Sequence, residues 1–195
     1  METKKNVLIS INHKASDYLS LNLKAVAGMD AWQKAIEIFD DRINGRFISQ
    51  VRLLKQNVKD NGFSMTAIIC LLIETLAQFE NGLDNSPRSG EICKNFLIKH
   101  FPQHFDNDTS TLFYKKIRCG ILHQAQTQNG SRISVVESRK IVEIKNNVFT
   151  VYINALFNKL EEYYNEYKTK LANPLELQLR ENFIKKMNYI CKRTS

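Results

Sequence analysis

The chain has 195 residues, 43% of them hydrophobic and 25% charged, the balance of a soluble globular protein of one domain with a sizeable core. Seven glycines and three prolines are too few for a sheet with many turns, and no period of roughly 20 to 50 residues marks a solenoid. A formal net charge of +8 favours polyanionic partners, RNA or DNA before an anionic membrane.

Residues 1–29 carry no sustained period and are expected to form an N-terminal arm, with residues 30–195 as a single helical domain. Asp30 can cap a helix starting at Ala31. From there Ala35, Ile38, Phe39, Ile43, Phe47, Val51 and Leu54 recur three or four apart, one apolar face running toward a stop at Asn61-Gly62. Gly45 sits inside it, at a cost of roughly 1 kcal/mol against alanine. Ser64 then caps a second helix, Met65 to Phe79, apolar on nearly all sides and closed by Asn81-Gly82. Its apolar run, Thr66 to Ala77, is too short to span a bilayer and carries Glu74.

Leu83 to Gly90 is a loop by composition. Ile92, Phe96, Leu97 and Phe101 mark a third helix ending near Pro102. The capping residues of Asp106 to Thr111 start a fourth, with Phe113, Ile117, Gly120 and Ile121 on one stripe. Arg132 to Asn147 is rich in Val and Ile with partial alternation, so a small β-hairpin is predicted after the fourth helix. A fifth helix, from about Tyr152 to Leu171, presents Leu156, Leu160, Tyr163, Tyr164 and Tyr167. At that spacing the tyrosines read as core or dimer interface rather than as a platform for stacking bases. Asn173-Pro174 precedes a final helix with Leu175, Leu179, Phe183 and Met187, while Lys185, Lys186, Lys192 and Arg193 make a solvated basic face. The expected fold is all-α in the main, an antiparallel helical bundle with one β-hairpin insertion.

The first residues lack the long apolar stretch of a secretory signal. Cys70, Cys93, Cys119 and Cys191 have neither CxxC nor zinc spacing, which fits free thiols in a cytoplasmic protein. His100 and His104 stand i, i+4, but Pro102 between them spoils the helix such a pair needs. Cys119 and His123 share the spacing without further ligands, so no metal or other cofactor is expected.

The fourth helix places Arg118, Gly120 and His123 together. On an ideal helix, residues five apart project about 140° from each other, so a shared ligand needs either a second copy across a two-fold axis or a distortion near Gly120. The chemistry of the pair suits RNA. An imidazole can move protons near neutral pH, and a guanidinium fork matches phosphate oxygens and steadies charge gathering on phosphorus. RNA supplies its own nucleophile, the 2′-hydroxyl. Gly120 would let a phosphate or a partner helix approach closely. Glu74 either orients Arg118 within a site or serves as its internal counter-charge.

Arg118-Cys119-Gly120-Ile121-Leu122-His123 resembles the motif of the HEPN (higher eukaryotes and prokaryotes nucleotide-binding) superfamily, an arginine, four to six intervening residues and then a histidine, on a late helix of a bundle, here in its four-residue version. Ile121 to Thr127 and Gly62 to Gly82 are similar to a bacterial branch of HEPN-like proteins, and the resemblance spans roughly residues 31 to 171. It implies a homodimeric, metal-independent endoribonuclease, a toxin or phage-defence effector with a cognate antitoxin. Arg118 would bind the scissile phosphate and His123 act as general acid–base, supported by Cys119, Gly120, Gln124 and Glu74. Cys119 departs from the polar residue that often follows the arginine in catalytic members. The alternative implied is a non-catalytic module that binds RNA, a nucleotide or a protein.

Overall fold

Helices dominate and one small sheet interrupts them, in a computed structural model that describes residues 7–57, 60–85 and 88–193. Residues 1–6 of the expected arm, Thr194, Ser195 and the side chain of Arg193 lie outside the described residues. The lead-in contains a short helix, α1 (Ala15–Leu19), with Ala15 and Tyr18 buried. The first long helix, α2 (Met29–Ile43), is capped at Gly28 rather than Asp30. It continues through a π-helical turn, Asn44–Ile48, into α3 (Ser49–Asn57). The wider turn moves the inward face by one residue: Ile43, Ile48 and Val51 are buried, whereas Phe47, expected from strict helical spacing, is only half-buried.

The second long helix, α4 (Gly62–Asn81), starts two residues before Ser64 and outruns its apolar stretch. With a mean hydropathy of 1.6, it is the one helix among the described residues long and apolar enough to cross a membrane; half of it is buried inside the protein. Gly82 closes it in the left-handed region, φ +61°. Next come α5 (Ser89–His100) and α6 (Asn107–Leu112), the latter capped by Asp106, whose carboxylate accepts from the Thr109 amide at 2.8 Å. A second π-helical turn, Phe113–Arg118, leads into α7 (Cys119–Gln124).

The sheet is larger than the expected hairpin: it starts at the same residue, Arg132, and runs on to Tyr152. β1 (Arg132–Ser134) runs parallel to β3 (Val148–Tyr152), and β2 (Val142–Lys145) pairs antiparallel with β3, in the order β1-β3-β2. Asn146 and Asn147, both at positive φ, are the two-residue turn between β2 and β3, not the end of the hairpin. α8 (Ile153–Ala172) and α9 (Leu177–Arg193) follow. Leu175, expected on the last helix, lies before it and is exposed.

The chain divides into two compact units, one of Met1–Gln50, Gln78–Ser86 and Tyr164–Ser195, the other of Val51–Ala77 and Pro87–Tyr163. The first has an aromatic centre in which Phe183 lies 5.5 Å from Phe39, 5.7 Å from Phe79 and 5.6 Å from Trp32, ring to ring. Lys186, expected on the solvated face, is buried here: it sits beside Met187 on the inward side of α9 and donates to Gln78 Oε1 and the Asp84 carbonyl. Burial first, then the charge of Arg42, lowers its pKa to about 8. The second unit is centred on Ile69, Leu72, Ile73, Phe113, Ile117, Phe149 and Leu156, all buried, and it carries the whole Arg118–His123 constellation.

Candidate functional site

Arg118 is the last residue of the second π-helical turn, in which the Cys119 amide reaches back five residues to the Tyr114 carbonyl. α7 then lasts only six residues and ends at Ala125, a left-handed residue at φ 51°. That conformation turns the chain back along its own helix. The Gln126 amide donates to the Gly120 carbonyl at 3.3 Å, and the Gln128 amide to the Lys116 carbonyl at 2.9 Å. The returning backbone explains Gly120, since a Cβ there would overlap the Gln126 carbonyl oxygen. The close approach expected of a phosphate or a partner helix is made by the chain itself. Gly120→Ala is therefore expected to destabilise the protein by about 1–3 kcal/mol in urea denaturation, because rigid backbone has to move.

The Arg118 side chain is anchored on one side and open on the other. Its Nε donates to Glu74 Oε1 at 2.7 Å and its Nη2 lies 2.6 Å from the same oxygen, with both side chains only 13% exposed. Desolvation pulls the guanidinium pKa down, but the hydrogen bonds and charge of Glu74 outweigh it and hold the value above the ordinary one. Arg118 Cζ lies 5.4 Å from the centre of the Tyr114 ring. That ring is itself fixed: the Tyr114 hydroxyl is 2.8 Å from Ser89 Oγ, and a Cβ on Gly90 would come within 3.0 Å of the ring edge. Sequence reasoning missed Tyr114. Its position four residues before Arg118, the spacing at which helical side chains meet, was the available signal.

On the open side, Arg118 Nη1 lies 3.5 Å from Nε2 of the exposed His123. Five residues rise about 7.5 Å along a helix, a span that a long guanidinium side chain and an imidazole bridge together. One chain thus brings the two groups into contact without a second copy. Arg118 can donate to Nε2 only while that nitrogen carries no proton.

The other expected site residues fall around this pair. Cys119 is half-buried and next to the guanidinium, and Gln124 is exposed at the end of α7. Cys70 and Cys93 are buried beneath; burial first, then the neighbouring Glu74 and thiol charges, pushes Cys93 up to about 12 and Cys70 well above its usual value, which leaves both as unreactive thiols. Among the described residues, no three of His, Cys, Asp and Glu are arranged to hold a metal ion.

Because the Glu74–Arg118 pair is largely shielded from water, removing one partner strands the other. Glu74→Ala is expected to cost about 2–3 kcal/mol in urea denaturation, and Glu74→Gln, which keeps an acceptor, about half that. Equal stability of the wild type and both variants would mean that the pair is solvated and contributes nothing. No family model, curated protein or solved structure matches the chain.

Proposed function

We propose that Arg118 and His123 form the working end of a HEPN-like, metal-independent endoribonuclease. The observation that carries this reading is their 3.5 Å contact at an exposed helix end, with the guanidinium held from behind by Glu74 and Tyr114. A phosphate oxygen accepting from Nη1 comes to rest beside the imidazole. His123, with Nε2 bare, takes the proton from the adjacent 2′-hydroxyl as that oxygen attacks phosphorus. The bond to the 5′-oxygen breaks, and the imidazolium returns the proton to the departing oxygen. Arg118 stabilises the extra negative charge on the phosphoryl oxygens while the fifth bond exists. The products are a 2′,3′-cyclic phosphate and a 5′-hydroxyl. The formal charge of +8 assists by attracting RNA. A nuclease of this kind fits a toxin or defence effector restrained by a partner.

One observation favours a second reading, a HEPN-like module that binds RNA or a nucleotide without cutting it. Glu74 occupies Nε and Nη2, leaving chiefly Nη1 for a phosphate, and Cys119 offers no strong donor beside it. Incubating the purified chain with total RNA, beside His123→Ala, separates the two. Cleavage that gives cyclic-phosphate ends and disappears in the variant supports the nuclease. Binding without cleavage supports the module, and equal cleavage by both proteins removes His123 from the chemistry.

A further inference from the structure

We propose that the open edge of β2 pairs antiparallel with the same edge of a second copy of this chain, with Ile144 facing Ile144 across the two-fold axis. The ribonuclease reading has no part in this inference.

β2 is an outer strand of the sheet, and among the described residues no strand lies along its far side. The two-residue turn at Asn146-Asn147 makes Lys145 and Val148 a hydrogen-bonded pair, and alternation makes Glu143 and Thr150 the next. The Tyr152 amide, donating to the Ile141 carbonyl at 2.8 Å, continues the pattern. The backbone groups of Val142 and Ile144 therefore point away from β3, toward whatever adds to the edge. Ile144 shares a face of the sheet with Phe149, which is buried, yet at the rim Ile144 is 54% exposed. Glu143 and Lys145 stand on the opposite face.

Three self-pairings join these outward groups. Centring on Val142 sets Glu143 against Ile141, with no cation opposite the carboxylate. Centring on Glu143 sets Glu143 against its own copy, an opposition of like charges. Centring on Ile144 sets Glu143 against Lys145 of the second copy, twice by symmetry, and covers Ile144 with Ile144. Charge selects the register centred on Ile144. A lysine alone on an edge strand keeps other strands away, but alternating sign on a self-pairing strand attracts one. Glu143 is held by Lys140 Nζ at 2.8 Å and the Tyr152 hydroxyl at 3.0 Å; a carboxylate has lone pairs to spare for a third donor. A strand of four residues makes few bonds, so the association is weak and concentration-dependent.

Sedimentation equilibrium of the full chain, without RNA, at up to ~1 mM tests it. The wild type is expected to dimerise in that range. Glu143→Lys and Lys145→Glu each turn two attractive pairs into repulsive ones and should weaken the dimer about tenfold or more. An equimolar mixture of the two variants should regain it, because one strand then carries two cations and the other two carboxylates. Should a variant lose its helical circular dichroism, Lys145→Gln replaces it, with a loss of about threefold and no rescue on mixing. A wild type that stays monomeric at ~1 mM, single variants that dimerise as well as the wild type, or a mixture of folded charge variants that fails to restore the dimer overturns the proposal. None of these outcomes bears on RNA cleavage by the Arg118–His123 pair.

Discussion

His123→Ala is expected to slow RNA cleavage by about 10²- to 10⁴-fold while leaving the urea midpoint nearly where it was. The imidazole is exposed and its one contact with Arg118 is long, so its loss disturbs little of the fold. Arg118→Ala should fail in both respects. It removes the proposed phosphate contact and also leaves Glu74, 13% exposed, without its counter-charge, for a loss of about 2–3 kcal/mol in stability. Arg118→Lys keeps the charge, but a single ammonium cannot satisfy Glu74 with two donors and still present a third toward His123. It should recover part of the stability and little of the rate. The contrast between the His123 and Arg118 variants is the informative part, since a constellation that merely holds the fold would show stability and activity falling together. Retained cyclic-phosphate products in His123→Ala would end the case for general acid–base catalysis by this residue.

Much of the scaffold was legible because helical spacing reports burial directly. Phe113, Ile117 and Ile121 lie on the inward stripe that their spacing marked, and so do Leu156, Leu160, Tyr163, Tyr164 and Tyr167. The π-helical turns were not legible. A single extra residue leaves the periodicity intact on either side, so Phe47 looked inward when Ile48 is the buried residue. β1 falls within the expected hairpin, but its partner was hidden for another reason: it pairs in parallel with β3, eighteen residues later, a contact that no local pattern records. At the site, the residue types Arg118, His123 and Glu74 could be singled out from their chemistry. The pairing of Glu74 with Arg118 was one of the two readings of that carboxylate; the contact of Arg118 with His123 in one chain was not legible, because it depends on side-chain reach rather than spacing. Nor was the occupant of the space at Gly120. That follows from Ala125 adopting a left-handed backbone, which alanine seldom does and which nothing in its neighbours announces.

Arg180→Met is expected to lower stability by about 3–5 kcal/mol. Arg180 stands between Leu179 and Glu181 in a helix where Gln178, Glu181, Lys185 and Lys192 are exposed, yet its side chain is fully buried. Among the described residues, no carboxylate pairs with it. Nε donates to the Leu171 carbonyl at 2.9 Å and Nη2 to the Ala172 carbonyl at 3.1 Å, which caps the last turn of α8, where the helix dipole favours a cation. Nη1 donates to the Ala25 carbonyl at 3.0 Å, tying the segment before α2 to the same group. The guanidinium plane is covered by Trp32, 4.4 Å from the ring centre. Methionine fills comparable space but satisfies none of the three carbonyls, and each buried acceptor left bare costs about 1–3 kcal/mol, reduced where water enters. Arg180→Lys keeps a cation yet has one nitrogen to aim in three directions, so it should fall about midway. Urea denaturation followed by far-ultraviolet circular dichroism ranks the three proteins. A methionine variant within about 1 kcal/mol of the wild type would show that those carbonyls find water as readily as they find Arg180, and that its burial is incidental to the fold.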